Sequence, residues 1–334
     1  MRRPEVLLPT TALTITVIAF ALIPTYTDST VAPFDVYNTF QIFARLGLLT
    51  LALGLTMIAG EFDLSVVGTY ALGGMLTVQV GPEHALYGLL AAVAAGAAIG
   101  LLQGGLIAGL RLPSMPVTLA TYIALLGLTS ALSGGLTKTY SNVSVTLWVD
   151  QTVLTYFSPR SLITLGFFVL AAAVLSFTRW GYELRAIGGD RRASRVAGVR
   201  VDRLIVGTFV VSGVLSALGG SLLSFSLGSA NPDPGVQPLI VAAAAALLGG
   251  VSLAGGRGSA PGLLGGILAV AMLAEIVTVT AVPGYVTQLF FASLLGVIVV
   301  VDAPDLHRAL VRQRTRLTHP QSHPQLEPGR HEAT

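Results

Sequence analysis

The 334-residue sequence has no cysteine, one lysine, and few charged residues of either sign. The absence of cysteine excludes disulfides, thiol nucleophiles and thiolate metal sites. The single lysine, Lys138, follows threonine, whereas a phosphate-binding P-loop needs Gly-Lys followed by Ser or Thr. The sequence therefore has no ATP-binding loop of that kind. Charged residues make up 10% of the chain, against about 25% in soluble domains, which is too few to cover a soluble surface.

The sequence is dominated by long apolar runs. Hydrophobic residues make up 53% of the sequence, and the mean hydropathy is +0.77. A bilayer span needs about 20 apolar residues, so the runs predict an all-α, polytopic membrane helix bundle of about ten transmembrane helices. The first run is interpreted as an uncleaved helix rather than a signal peptide. The predicted spans are Leu7–Pro24, Gln41–Gly60, Ser65–Val80, Ala85–Leu110, Met115–Gly134, Ser161–Thr178, Leu204–Leu227, Pro238–Leu253, Pro261–Ala281 and Tyr285–Val301.

The basic residues predict the orientation of these spans. With the N-terminus inside, 16 of the 19 basic residues fall on the cytoplasmic side, and Arg45, Lys138 and Arg160 fall outside. We therefore expect a multi-pass protein of the cell membrane with both termini in the cytoplasm. The basic residues then contact membrane lipid, and no nucleic-acid partner is expected. Residues 1–303 form the predicted membrane domain, and the composition of residues 304–334 is typical of a disordered cytoplasmic tail. No metal or cofactor is expected.

The arginine-rich segment Thr178–Arg203 is the longest predicted cytoplasmic loop. Within it, Asp190 is a good helix N-cap and Gly198 can end the helix in a left-handed conformation. Between them, three small residues share one apolar helix face: Ala193, Val196 and Ala197. A short helix of this kind suits either a groove on another cytoplasmic protein or the surface of anionic lipid. The residues alone leave both interpretations open.

This loop resembles the coupling segment of membrane permeases of ribose-type ABC sugar importers, in its Ala186-Ile187-Gly188-Gly189-Asp190 run and the Ala197-Gly198-Val199 that follows. Three further motifs resemble the same family in order and spacing. They are GEFDLSV at Gly60–Val66, LPSMPVTLAT at Leu112–Thr121, and LGSANPDPG with LLGGVSLAGGRGS at Leu227–Gly235 and Leu247–Ser259. The structural motif residues singled out are Gly60, Asp63, Leu64, Ser65, Gly255, Gly256 and Arg257.

The resemblance implies a type II importer permease fold. It also implies that a second permease copy or a paralogue pairs with this chain, that cytoplasmic ATP-binding subunits dock on it, and that an extracytoplasmic solute-binding protein delivers the solute. ATP hydrolysis then occurs on separate chains, so the permease is not itself an enzyme. The residues expected to couple to the ATPase are Gly188, Gly189, Asp190, Ala193, Val196, Ala197 and Gly198.

The expected cargo is a monosaccharide or a similar small polar solute. Two departures from the family pattern leave its exact identity open, because Val67 replaces a glycine and the stretch from Gln237 lacks a carboxylate. A branched-chain amino-acid ABC permease is one alternative. An ion-coupled secondary transporter is another, but it would need a coupled set of intramembrane carboxylates, and only Glu275 lies deep in a predicted span.

Several polar residues carry competing interpretations. Glu275 either lines the solute pathway or forms a helix–helix hydrogen bond. Asn231 either contacts the binding protein or the mouth of the solute pathway, or it forms an ordinary turn. Gln288 is the third candidate pathway residue. Asp63 is expected to cap the helix that follows it. A faint repeat, which aligns Gly60 with Gly249, suggests duplicated halves.

Overall fold

The computed structural model describes residues 4–23, residues 32–280 and isolated positions between 283 and 296. The predicted tail at 304–334 and most of the last predicted span lie outside the described residues. The helices are α1 Pro4–Ala21, α2 Pro33–Ile58, α3 Val66–Val80, α4 Ala85–Gly109, α5 Ser114–Ser133, α6 Val143–Asp150, α7 Pro159–Phe177, α8 Arg179–Gly189, α9 Arg191–Val196, α10 Val201–Leu227, α11 Gln237–Leu248 and α12 Ala260–Val279. Two short strands, β1 Lys138–Thr139 and β2 Ser229–Ala230, pair antiparallel.

Six of the described helices are long and apolar enough to cross a bilayer: α2, α4, α5, α7, α10 and α12. Shorter apolar helices include α3 and α11, both of which are largely buried. The outward faces of α4, α5 and α7 carry leucine, isoleucine and valine, as expected for surfaces in contact with lipid. The molecule is therefore a polytopic helical membrane protein.

Helix α10 packs against α2, α3 and α4, and glycine lets these backbones approach closely. A Cβ added to Gly213 of α10 would lie closer than 3.0 Å to the carbonyl oxygen of Gly96 in α4. One added to Gly220 would meet the carbonyl oxygen of Tyr70 in α3 in the same way. Since lipid provides no hydrophobic force between helices, this close packing is what holds the bundle together.

Helices α2 and α11 end in the same way, which supports the repeat suspected from the sequence. The N–H groups of Gly60 and Gly250 each donate to a carbonyl three residues back at 2.9 Å. Both glycines have left-handed φ values, +77° and +80°, which is the usual Schellman end of a helix. Each helix is followed by a non-helical segment and then by α3 or α12. The equivalent of Gly60 is therefore Gly250, one residue later than the sequence alignment placed it.

The start of α2 differs from the prediction. The helix begins at Pro33 rather than Gln41, so Arg45 lies near the middle of the helix. The difference arises because the first two turns of α2 carry polar residues that a hydropathy threshold excludes. The short helix α6, at eight residues, is also too short to give a span signal.

Candidate functional site

The predicted coupling segment consists of two helices rather than one. Helix α8 is amphipathic, and it buries Leu184 and Ile187 against the bundle. Its Gly181 lies so close to the backbone of Leu175 that an added Cβ would clash there. Helix α8 therefore fixes the position of α9 relative to the membrane helices. The sequence analysis missed α8 because no run of apolar residues marks it.

Helix α9 begins and ends as the sequence predicted. The Oδ1 atom of Asp190 accepts hydrogen bonds from the backbone N–H groups of Arg192 and Ala193 at 2.8 and 3.0 Å. Gly198 follows the helix with a φ of +85°, and its N–H donates to the carbonyl of Arg195 at 3.0 Å. One side chain, Ser194, is buried against the protein.

The small apolar face of α9 has no cover among the described residues. Ala193, Val196 and Ala197 are all exposed, and Val196 is 90% exposed. Because this face is held on a capped helix that is anchored by α8, it is a preformed surface. A surface of this size and shape suits insertion into a shallow groove on another protein.

Four glycines from three separate motifs meet where α8 ends, and we call them the glycine junction: Gly60 after α2, Gly188 in the last turn of α8, and Gly255 and Gly256 between α11 and α12. The backbone N–H of Gly256 donates to the carbonyl of Ile58 at 2.9 Å. A Cβ added to Gly255 would lie 2.5 Å from the Cα of Gly60. A Cβ added to Gly188 would lie closer than 3.0 Å to backbone atoms of both Ile58 and Gly256. The coupling segment thus touches both helix breaks of the repeat directly.

An ion pair joins the same elements. The guanidinium of Arg191, the first residue of α9, donates to the buried carboxylate of Glu61. Glu61 is 6% and Arg191 39% exposed at the side chain. In addition, the Nε of Arg185 donates to the carbonyl of Gly258 at 3.2 Å. Sequence reasoning missed the pair, because the two residues are 130 positions apart and only their opposite charges could have suggested it.

Asp63 does not cap the first turn of α3 as expected. Its Oδ1 accepts hydrogen bonds from the N–H of Ser65 at 3.0 Å and from the Ser65 hydroxyl at 2.6 Å, so it closes the turn before the helix. Its Oδ2 accepts from the hydroxyl of Ser212 in α10 at 2.9 Å. The side-chain amide of Gln103 in α4 donates to the Ser65 hydroxyl at 2.7 Å. Asp63 therefore connects the α2–α3 break directly to α10 through Ser212, and indirectly to α4 through Ser65 and Gln103.

The other two motif residues lie at the edges of this region. Leu64 is half-buried between Asp63 and Ser65. Arg257 donates from Nη2 to the hydroxyl of Ser252 at 3.2 Å, while the N–H of Ser252 bonds the carbonyl of Arg257 at 3.4 Å. These two hydrogen bonds hold Arg257 and Ser252 together within the loop between α11 and α12.

The three candidate pathway residues lie in different surroundings. Glu275 of α12 is buried and accepts a hydrogen bond from the side chain of Asn38 in α2 at 3.3 Å. Asn231 is exposed, and its side chain accepts the N–H of Asp233 at 3.1 Å, as in an ordinary turn. Gln288 lines a cavity of about 630 Å³ together with Gln237 at the start of α11. Among the described residues, that cavity includes neither Glu275 nor Asn231.

The described helices thus form a membrane-spanning bundle that carries a short helix, α9, with an exposed apolar face. The family model described as "Branched-chain amino acid transport system / permease component" matches residues 36–300. The chain belongs to this family of ABC transporter permeases.

Curated relatives are sugar-type permeases. The ribose import permease of Escherichia coli strain K12 is 31% identical over 82% of this chain and 88% of the relative. The fructose import permease of Rhizobium meliloti is 29% identical over 78% and 76%. The autoinducer 2 import system permease of Enterobacter sp. strain 638 is 31% identical over 88% of each chain. No solved structure matches.

The protein is therefore the permease component of a sugar-type ABC importer, as the sequence motifs predicted. Permeases of this class work with ATPase and binding-protein partners and are not themselves enzymes. The family description includes the branched-chain amino-acid systems that were considered as an alternative. The names of these three relatives refer instead to ribose, fructose and autoinducer 2.

Proposed function

We propose that this permease carries a monosaccharide or a similar small polar solute into the cell. It pairs with a second copy or a paralogue in a type II importer and has about ten spans. The names of the relatives support a solute of this class. The arginine-rich end of the bundle, which includes α8, α9 and Arg257, is assigned to the cytoplasm by the positive-inside rule. Both termini are then cytoplasmic.

Helix α9 is the proposed contact with the cytoplasmic ATPase. The observation that carries this assignment is the exposed face of Ala193, Val196 and Ala197 on α9. This helix directly follows the part of α8 that enters the glycine junction, and the Arg191–Glu61 pair joins it to the α2–α3 break. A segment that only rested on lipid would not need a rigid backbone connection to two transmembrane helix breaks. The position of α9 is therefore suited to transmit force as well as to bind.

The proposed mechanism is alternating access. Closure of the ATPase dimer displaces α9, and the displacement passes to the α2–α3 break through Arg191 and Glu61. It passes to the α11–α12 break through the backbone contacts of Gly188 with Gly256. Since α3 and α11 are short helices that start or end at these breaks, small shifts at the junction reorient them within the bundle. Those shifts open the solute route inward.

Replacing Val196 with aspartate tests the docking assignment. Because a charge placed in an apolar docking surface is desolvated without a partner, ATPase binding is expected to weaken by about tenfold or more. The measurement is the amount of ATPase subunit that copurifies with the tagged permease. Val143→Asp is the matched control, since Val143 is exposed at the start of α6, away from the coupling segment. Equal copurification with both variants would contradict the assignment.

A further inference from the structure

Helices α7 and α10 both pack against α2 but are not closely packed against each other, and a groove lies between them. The groove has a volume of about 290 Å³ and is lined by apolar side chains. The buried Leu51 and Leu55 of α2 form its floor, while Leu170 and Leu175 belong to the α7 wall and Val214 to the α10 wall. Leu170 is 57% exposed, so the groove opens to the outside of the bundle. An apolar groove of this kind excludes water and suits a hydrocarbon chain.

A tryptophan closes one end of the groove. Trp180 lies in the first turn of α8, and its Nε1 would be 3.9 Å from a Cβ added to Gly207, so the indole reaches from α8 to α10. Within the described part of the chain, the indole N–H has no hydrogen-bond acceptor. Tryptophan is enriched at the membrane–water interface, where its ring is in apolar surroundings and its N–H meets polar groups. This end of the groove therefore lies at the level of the lipid headgroups, on the same side as α8 and α9.

Two arginines lie beside the same end of the groove. Arg203 is one turn before Gly207 on the face of α10 that lines the groove, and Arg179 directly precedes the tryptophan. Both arginines are exposed, and no carboxylate of the described residues pairs with either of them. Asp202, the acid next to Arg203, is paired with Arg195. The apolar groove thus ends at two positive charges that have no counter-ion among the described residues.

We propose that this groove binds an acyl chain of an anionic phospholipid, whose phosphate group is held by Arg203, Arg179 and the indole N–H of Trp180. Charge complementarity selects this occupant, because the chain matches the apolar walls and the phosphate oxygens supply the acceptors that the three donor groups lack. The positive-inside rule assigns this end of the bundle to the cytoplasm, and the cytoplasmic leaflet is the one rich in anionic lipid. The site binds no solute and therefore goes beyond the proposed function.

The groove adjoins the corner that positions the coupling segment. Leu175 lines the groove, and its backbone is also the contact that holds Gly181 of α8 against α7. A lipid chain in the groove packs against this corner, and its phosphate is held by residues of both α8 and α10. The lipid therefore joins α8 to the membrane helices in addition to the contacts that the protein makes by itself.

The headgroup is tested with two phospholipids that have identical acyl chains, phosphatidylglycerol and phosphatidylcholine. Each is added to the delipidated importer with its ATPase subunits in detergent, and native mass spectrometry measures lipid affinity. Phosphatidylglycerol is expected to bind about tenfold more tightly than phosphatidylcholine. Arg203→Gln is expected to weaken phosphatidylglycerol binding about fivefold, the effect of one basic residue beside an anionic lipid, and to leave phosphatidylcholine binding unchanged. Arg192→Gln is the control, because Arg192 is exposed and has no carboxylate partner among the described residues, but lies on α9 and does not line the groove.

The acyl chain is tested by filling the groove. Val214→Trp enlarges a side chain of the α10 wall and is expected to weaken the binding of both lipids about tenfold or more, because the chain loses its apolar contacts. Val169→Trp is the control, since Val169 is exposed on α7 and does not line the groove. The thermal midpoint of each variant shows that it is folded, and Arg203→Gln tests the same site without a change in packing.

Three results would overturn the proposal. Equal affinity for the two lipids, or equal effects of Arg203→Gln and Arg192→Gln, would show that these arginines hold no headgroup. Unchanged lipid binding by Val214→Trp would place the chain outside the groove. Disulfide-linked permease dimers of a Val211→Cys variant, whose new thiol is the only one in the chain, would assign the groove to a contact between two copies. None of these measurements involves solute or the docking face of α9, so failure of the lipid site and failure of the proposed function are distinguishable.

Discussion

Replacing Glu61 with glutamine is expected to lower the stimulation of ATP hydrolysis by the solute-binding protein about tenfold, while the ATPase still copurifies with the permease. The reason is that Glu61 joins the α2–α3 break to the first residue of α9. Without the carboxylate, α9 remains folded, since its Asp190 cap and Gly198 end are unchanged. Docking is then preserved, but the movement of α9 is transmitted less completely to α2.

Charge reversal shows whether the effect arises from the pair itself. Arg191→Glu places two carboxylates together and is expected to be worse than Glu61→Gln. The double variant Glu61→Arg with Arg191→Glu is expected to restore part of the stimulation. A pairwise coupling of about 0.5–3 kcal/mol is typical of residues in direct contact. Because Arg191 is partly exposed, we expect a value in the lower part of that range.

A second ion pair in the same segment is the control. Arg195 pairs with Asp202 at 2.7 Å, but both side chains are largely exposed. Surface pairs of this kind contribute about 0–1 kcal/mol. Asp202→Asn is therefore expected to leave stimulated hydrolysis within about twofold of the unchanged protein. If Asp202→Asn and Glu61→Gln have equal effects, or if charge exchange restores nothing, Glu61 has no specific role in transmission.

Local signals in the sequence were enough to predict most of the long membrane helices and the ends of α9. The cap at Asp190 and the left-handed Gly198 depend on interactions within one or two turns, which residue type alone determines. Apolar runs similarly located the main membrane helices. Their starts were less accurate, as α2 shows, because polar residues such as Asn38 and Gln41 are acceptable in a membrane helix when they face protein or water.

The meeting of the motifs could not be predicted from the sequence. Gly60 lies 128 positions before Gly188, and Gly188 lies 67 positions before Gly255. No local feature of the sequence indicates that these glycines are in contact. The resemblance to a family identified each motif but gave no physical reason why glycine stands in all three. The structure supplies that reason, because three backbones meet where a side chain on any one of them would separate the others. Long-range contact, rather than local conformation, thus explains these glycines.

Replacing Gly188 with alanine is expected to have the largest effect on the stability of the permease. Its Cβ would overlap the carbonyl oxygen of Ile58 and the backbone nitrogen of Gly256. Both are backbone atoms, so no side-chain rotation relieves the overlap and α8 must move away from α2. Overpacking of this kind costs about 3 kcal/mol. It is measured as a lower thermal midpoint of the detergent-purified protein and as loss of stimulated ATP hydrolysis.

The adjacent residue provides a control of the same chemistry. A Cβ on Gly189 would meet no described atom within 4 Å, so Gly189→Ala is expected to leave the thermal midpoint nearly unchanged. Gly255→Ala tests the junction from the opposite side, because it combines a clash with the Cα of Gly60 at 2.5 Å and a φ of +80° that alanine adopts only under strain. It should therefore resemble Gly188→Ala. If alanine at 188 and at 189 gives the same midpoint and the same stimulation, the coupling segment does not rest on the ends of α2 and α11, and force must reach the membrane helices by another route.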